Sequence, residues 1–161
     1  MLFRSLYVRK GLQIAPLVFG GNQECGLRSG TENVPGIVGM GKAVKIMNKN
    51  FLAEEEYVYQ LKRYFIDRVQ NEINNIKVNS PAKEDFSPYI TNISFIGVRG
   101  EVLLHYLEDK GIYVSTASAC SSHGKGKSHV LKAIGLDDNQ IEGTIRFSFS
   151  YLNTKEEIDY V

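Results

Sequence analysis

The feature that most limits how this chain can fold is a long amphipathic helix, predicted over residues 52–74. Its apolar residues recur at intervals of three and four, which places them on a single stripe: Val58, Leu61, Phe65, Val69 and Ile73. A helix with one apolar stripe must bury that stripe against another layer of structure. Strand-like and helical segments alternate after it, so the region from Leu52 onward is predicted to be a compact α/β sandwich with helices covering a small sheet.

The segments after the long helix have clear boundaries. Strands are predicted over residues 76–78, 90–95 and 145–150, and helices over 101–110 and 128–134, with Gly111 as the stop of the first. The strand at 145–150 alternates, so Ile145 and Phe147 share one side and Arg146 the other. A capping box at Thr154 and Glu157 begins a last helix, which is expected to be truncated because the sequence stops soon after it.

Residues 1–48 are organised differently from the rest. A short strand is predicted at 6–8, and 14–19 is predicted as an edge strand or extended connection because it contains Pro16. A helix with Pro35 in its first turn follows, and its glycines suggest close packing against another element. The pattern breaks at Lys49, so we predict two domains, 1–48 and 49–161.

A glycine-rich stretch precedes that first helix. Residues 20–31 contain four glycines in twelve positions and end in Ser29-Gly-Thr31. Exposed backbone N–H groups, a hydroxyl and a helix N-terminus are the arrangement that binds phosphate. An ordinary loop with a helix N-cap explains the same residues, and the sequence does not decide between the two.

Cys120 lies at the centre of a run of small residues, Ser115-Thr-Ala-Ser-Ala-Cys-Ser-Ser-His123. An apolar segment at 112–114 precedes this run, and Gly124 and Gly126 follow it. A thiol just beyond a strand, on a glycine-containing loop, is suited to exposure and movement, as a nucleophile requires. The alternative is a cysteine at a strand end with no chemical role.

Arg146 is the third candidate site residue, because it lies on the polar side of its predicted strand. A guanidinium group there is either a surface charge or a group that binds a substrate carboxylate. Its planar arrangement of N–H donors suits bidentate hydrogen bonding to a carboxylate.

Composition excludes several classes of protein. The chain has 161 residues, a formal net charge of +1 and two cysteines without metal-site spacing. These values give no reason to expect a nucleic-acid or membrane partner, a disulfide framework or a metal site, and a cytoplasmic location is expected.

Several motifs together resemble the cysteine desulfurases of the NifS/IscS type, which are class V aminotransferases with the fold-type I pyridoxal-phosphate (PLP) architecture. The matching segments are Gly20-Gly21, Gln23-Glu24, Leu27-Arg-Ser-Gly-Thr-Glu-Asn-Val34, Asn92-Ile-Ser-Phe95, Val98-Arg-Gly-Glu-Val102, Gly111-Ile-Tyr-Val-Ser-Thr116 and Ser118-Ala-Cys-Ser-Ser122. The resemblance covers nearly the whole chain in register.

The resemblance implies a fold. Residues 49–161 would be the small C-terminal α/β domain, with helices packed on a small mixed sheet, and 1–48 the last strand and helix of the large domain.

The resemblance also implies an activity. The family takes sulfur from L-cysteine, releases alanine and leaves a persulfide on a cysteine that matches Cys120. Arg146 matches the arginine that binds the substrate carboxylate. Thr31 matches the residue that reaches the cofactor phosphate of the neighbouring subunit, which implies a homodimer. The sulfur then passes to acceptor proteins, for Fe–S clusters or tRNA thiolation.

One family motif is missing. The Schiff-base lysine motif has no match in these residues and would fall before Met1, so a C-terminal fragment without activity or PLP of its own is expected. Lys125 and Lys127 are interpreted as loop charges, and no role is assigned to Cys25, His105, His123 or His129. A non-catalytic sulfur-accepting or dimerising module and a fragment of a selenocysteine lyase-like enzyme are the alternatives.

Overall fold

A computed structural model of the chain describes residues 5–82, 86–116 and 128–161. The chain divides into two compact units, Met1–Phe51 and Leu52–Val161. The division lies close to the boundary that the sequence predicts after residue 48. The assignment of the first unit to a larger PLP-binding domain stays a prediction.

The second unit contains a four-stranded sheet of β1 (Ile76–Val78), β2 (Ile90–Phe95), β3 (Ser115–Thr116) and β4 (Thr144–Ser148), in the order β1-β2-β4-β3. Every neighbouring pair is antiparallel, so the α/β class is confirmed while the expectation of a mixed sheet is wrong. The physical reason lies in β4. Helix α3 (Gly100–Glu108) connects β2 to β3, which run in the same direction, but β4 lies between them and pairs with both.

Helix α2 (Phe51–Glu72) covers one face of this sheet. Its predicted stripe is buried at Val58, Leu61, Phe65 and Val69, whereas Ile73 lies beyond the helix and is half-exposed. The core that the helix forms with the sheet and the last helix consists of Leu61, Phe65, Val69, Ile93, Ile145, Phe147 and Ile158. In the described part of the chain, no helix is both long enough and apolar enough to cross a membrane.

The described residues of this unit form three further, shorter helices: α4 (His129–Ala133), α5 (Asp138–Glu142) and α6 (Lys155–Tyr160). The predicted capping box of α6 is confirmed, because Thr154 accepts from the Glu157 N–H and the Glu157 carboxylate accepts from the Thr154 N–H. Gly111 follows α3 with φ of +77°, and the Ile112 N–H donates to Leu107 O at 2.9 Å, as the predicted stop requires.

Lys62 is a buried charged residue that was not predicted from the sequence pattern. It lies on α2 with only 1% of its surface exposed, and its Nζ donates to Ser87 O at 2.9 Å. Tyr59, on the same helix, donates from its hydroxyl to Ala82 O at 3.1 Å. The two bonds hold the connection between β1 and β2 against α2. Burial lowers the pKa of the Lys62 ammonium below its usual value, because the charged form loses hydration.

The lowered pKa predicts that unfolding free energy depends on pH. Between the folded pKa and the unfolded value of about 10.4, the unfolded chain binds more protons at Lys62. Stability therefore rises with pH through this window. We expect Lys62→Met to remove that rise in urea titrations at successive pH values, while Lys132→Met, at an exposed position, retains it. An unchanged rise in the Lys62 variant would contradict the prediction.

The first unit contains a short 3₁₀ helix (Glu24–Gly26) and α1 (Val34–Met47), whose N-cap Asn33 accepts from the Gly36 N–H. The predicted strand at 6–8 is wrong, since those residues form no strand. Of residues 14–19 only Val18 pairs, in an isolated parallel bridge with Arg28. In the described part of this unit, no other residues continue this pairing. A single pair of bridged residues is too little to form a stable strand.

Helix α1 exposes apolar side chains around its circumference. None of its residues is buried, and the exposed ones are Val34, Ile37, Val38, Met40, Val44, Ile46 and Met47. A Cβ added at Gly39 or Gly41 would meet no atom within 4 Å, so the close packing expected there is absent from the described part of the chain. A helix that is apolar on all sides is stable only when covered. From these exposed apolar residues we predict that the isolated chain self-associates through this unit.

Candidate functional site

Arg146 stands in the middle of a row of three polar residues that crosses the sheet. It is the register partner of Asn92 on β2 and of Ser115 on β3. Cross-strand partners in register share a face of the sheet. The row therefore lies on the face opposite to Ile145 and Phe147, which point into the core. The predicted polar placement of Arg146 is confirmed, and we call these three residues the Arg146 row.

The guanidinium of Arg146 is exposed, and one Nη2 N–H donates to Ser115 Oγ at 3.2 Å. Among the described residues, no carboxylate lies within salt-bridge distance of it. Arg28 and Arg99 differ, because each has a glutamate within 4 Å. Within the described residues, Arg146 thus presents a positive charge without a carboxylate partner and with unused donors, which a ligand carboxylate fits by charge and geometry.

A hydrogen-bonded network supports the same face of the sheet. Asn79 donates from Nδ2 to Asn92 Oδ1 and to Ser94 Oγ, both at 2.8 Å. Ser94 Oγ lies 3.0 Å from Thr144 Oγ1, and the Thr144 hydroxyl donates to Gln140 O at 2.6 Å. Ser94 and Thr144 are buried, so this part of the face is an ordered scaffold.

This network is not among the features predicted from the sequence, although β2 carries a signal of it. Asn92 and Ser94 alternate with Ile93 and Phe95 along β2, which is the pattern of a strand with one polar face. The alternation does not show which strands pair with β2, and so it does not show which residues lie beside Asn92 and Ser94.

Cys120 lies outside the described residues, as do His123, Lys125 and Lys127. The described chain reaches Thr116, the register partner of Ile145, four positions before Cys120 in the sequence. The segment that carries Cys120 therefore begins at the strand adjacent to Arg146. The role of Cys120 stays a prediction.

The glycine-rich loop is held by its own hydrogen bonds. Gly30 N–H donates to Gln23 Oε1 at 3.0 Å, and Ser29 N–H donates to Val18 O at 3.1 Å. Arg28 Nη1 donates to Gly30 O at 2.9 Å. The loop conformation is thus fixed from within the unit.

These bonds change the interpretation of the loop as a phosphate site. The N–H groups of Ser29, Gly30 and Gly36 already donate to acceptors in the chain. Pro35 has no backbone N–H to donate. A backbone cradle formed by these groups is therefore excluded. Thr31 is exposed beside them, and its hydroxyl fits a phosphate oxygen as a single donor.

The three predicted site residues are not assembled within one described unit. Thr31 belongs to the first unit and Arg146 to the second, so the surroundings of each residue are given within its own unit.

Cys25 is exposed in the 3₁₀ helix with φ of +56°, and His105 Nδ1 lies 3.4 Å from Glu108 Oε2 on the surface of α3. Among the residues that the structure describes, no cluster of three or more His, Cys, Asp or Glu suits a metal ion.

Comparison with known proteins identifies the family. Residues 6–161 match the sequence profile described as aminotransferase class-V, and the chain belongs to this family. Within it, the resemblance to cysteine desulfurases is confirmed: the chain is 43% identical over 156 residues to the cysteine desulfurase IscS of Dictyoglomus turgidum, covering 97% of this chain and 39% of that protein.

Solved structures agree with this assignment. A NifS-like protein superposes with a TM-score of 0.78 at 38% identity, covering 96% of this chain and 38% of the other. A NifS-like protein from Rickettsia africae gives a TM-score of 0.76 at 28% identity, covering 92% and 38%. The chain therefore spans less than half the length of these relatives.

Proposed function

We propose that this chain supplies the cysteine-bearing part of a PLP-dependent cysteine desulfurase, with Cys120 as the sulfur acceptor and Arg146 as the ligand of the substrate carboxylate. The observation that carries the proposal is the Arg146 row. Arg146 has no carboxylate partner among the described residues, and it lies in register with Ser115, on the strand from which the Cys120 segment continues. Similarity to cysteine desulfurases over nearly the whole chain supports the same reading.

The proposed reaction balances without an external oxidant. The Cys120 thiolate attacks the sulfur of L-cysteine, an S–S bond forms, and the substrate C–S bond breaks with its electron pair remaining on carbon. That carbon takes up a proton and becomes the methyl group of alanine, while Cys120 retains the persulfide. PLP, when bound, supplies the electron sink for this bond cleavage. Arg146 holds the substrate by its carboxylate throughout.

The remaining groups follow from the same proposal. The Thr31 hydroxyl contacts the PLP phosphate of a neighbouring subunit, which makes the active enzyme a homodimer. The Schiff-base lysine must come from outside these 161 residues, because the sequence contains no match to its motif. The isolated chain is therefore proposed to be inactive. The persulfide sulfur passes to acceptor proteins of the cytoplasm, for Fe–S clusters or tRNA thiolation.

A hybrid enzyme tests this proposal. In it, this chain replaces the matching region of the Dictyoglomus turgidum IscS protein, which provides the lysine-bearing remainder. We expect the hybrid to bind PLP, release alanine from L-cysteine and carry a persulfide on Cys120. A hybrid that binds PLP with the spectrum of the parent enzyme but forms neither product would contradict the proposal.

The isolated chain provides the complementary measurement. With added PLP and borohydride, we expect no reduced lysine adduct on mass mapping and no alanine from L-cysteine. A stable adduct on one specific lysine, together with turnover, would show that the chain is catalytic alone. A third outcome is that the hybrid enzyme is inactive but Cys120 of the isolated chain takes up sulfur from a separate, active desulfurase. That result would favour the sulfur-accepting module instead.

A further inference from the structure

We propose that Ser115 is a positioning residue, which orients Arg146 to bind the α-carboxylate of an amino-acid substrate. This inference rests on the carboxylate-binding role proposed above for Arg146. It adds a residue outside the three candidates taken from the sequence. It also assigns a task to the only side-chain hydrogen bond that Arg146 makes within the described residues.

The geometry explains why a positioning contact is needed. Arg146 is an exposed residue on its sheet face, and a long arginine side chain in water samples many rotamers. The Ser115 hydroxyl takes one of the five guanidinium N–H donors at 3.2 Å. A guanidinium has two edges that each present a pair of N–H donors, and Nη2 contributes one N–H to each edge. A single bond from Nη2 therefore uses a donor of one edge and leaves the other edge free to bind a carboxylate through both of its oxygens. The bond thus restricts the guanidinium without consuming its binding capacity.

Ser115 is itself well placed to hold the guanidinium. Its backbone is fixed by β3–β4 pairing in register with Arg146, and its side chain is half-buried. Since its Oγ accepts from Arg146, its own O–H remains to be donated to a ligand oxygen. On the other flank, Asn92 is fixed by the hydrogen bond from Asn79. Arg146 therefore projects between two ordered polar neighbours, and no competing carboxylate lies near in the described chain.

The test uses a matched pair of variants in the full 161-residue chain. Ser115→Thr and Ser115→Val have the same shape and the same preference for strands, but only threonine keeps the hydroxyl. L-Alanine is titrated into the ¹⁵N-arginine-labelled chain while the Nε–H signal of Arg146 is followed. We expect L-alanine to shift this signal, with about 3- to 10-fold weaker binding in the Val variant than in the Thr variant. Ser148→Ala, an exposed position on the same strand face, serves as the unchanged control.

The hybrid enzyme adds a kinetic measurement. Ser115→Val is expected to raise KM for L-cysteine by the same factor as it weakens L-alanine binding, while Ser115→Thr restores it. Equal L-alanine affinity in the Thr and Val variants, or no shift of the Arg146 signal in the unmodified chain, would overturn the inference. L-Alanine binding could depend on the hydroxyl while the hybrid enzyme is inactive. That result would contradict the desulfurase proposal but would leave the role of Ser115 standing.

Discussion

Cys120→Ser is expected to reduce persulfide formation and alanine release by the hybrid enzyme to the background level. The reason is chemical, since a serine hydroxyl cannot form the S–S bond that takes sulfur away from the substrate. A hydroxyl is also un-ionised at neutral pH, whereas a thiol has a pKa near 8.5 and supplies thiolate. The side chains differ little in size, so the fold and PLP binding should be retained.

The chain offers a matched control for this experiment. Cys25 is its other cysteine, is exposed in the first unit, and has no assigned role. Cys25→Ser should leave alanine release and the persulfide unchanged. The measurement is mass mapping of alkylated peptides after a single turnover with L-cysteine, with alanine quantified in the same sample. A persulfide on Cys25, or full alanine release by Cys120→Ser, would contradict the assignment.

Gly143→Ala is expected to destabilise the second unit by about 3 kcal/mol or more, because the added methyl group has no space. A Cβ at Gly143 would overlap the carbonyl of Phe95 and lie 2.7 Å from Val98 O. These are backbone atoms that cannot rotate away, and Gly143 O also accepts from the Phe95 N–H at 2.9 Å. The φ of Gly143 is −89°, which alanine adopts freely, so the expected cost comes from space and not from backbone torsion.

Two other glycines make the prediction quantitative. A Cβ at Gly100 would lie 2.8 Å from Glu142 O and 3.3 Å from Thr144 O, so Gly100→Ala should destabilise the unit by a smaller amount. Gly39 is inside α1 with no atom within 4 Å of an added Cβ, so alanine there should be neutral or stabilise the helix by up to about 1 kcal/mol. Urea denaturation gives the three values. A Gly143→Ala variant within about 1 kcal/mol of the unmodified chain would contradict the reading of this contact.

The local elements were largely predictable from the sequence. The stripe of α2, the polar and apolar sides of β4, the stop at Gly111 and the capping box of α6 all depend on residues a few positions apart. At that range, the periods of 3.6 and 2 residues and the geometry of helix ends decide the outcome. The family motifs, including the run around Cys120, could likewise be recognised without a fold.

Contacts between residues distant in sequence were decided by the tertiary structure alone. The insertion of β4 between β2 and β3 made the sheet antiparallel, and it brought Arg146 beside Ser115 across 31 positions of sequence. The burial of Lys62 against Ser87 O depends in the same way on how a loop returns to a helix. Periodicity shows which face of a strand is polar, but it cannot show which strand lies beside it, because strand order is fixed by the joint burial of all the apolar faces. The sequence by itself therefore determined the elements and the candidate residues of this protein, and only the tertiary structure determined the row in which Arg146 stands.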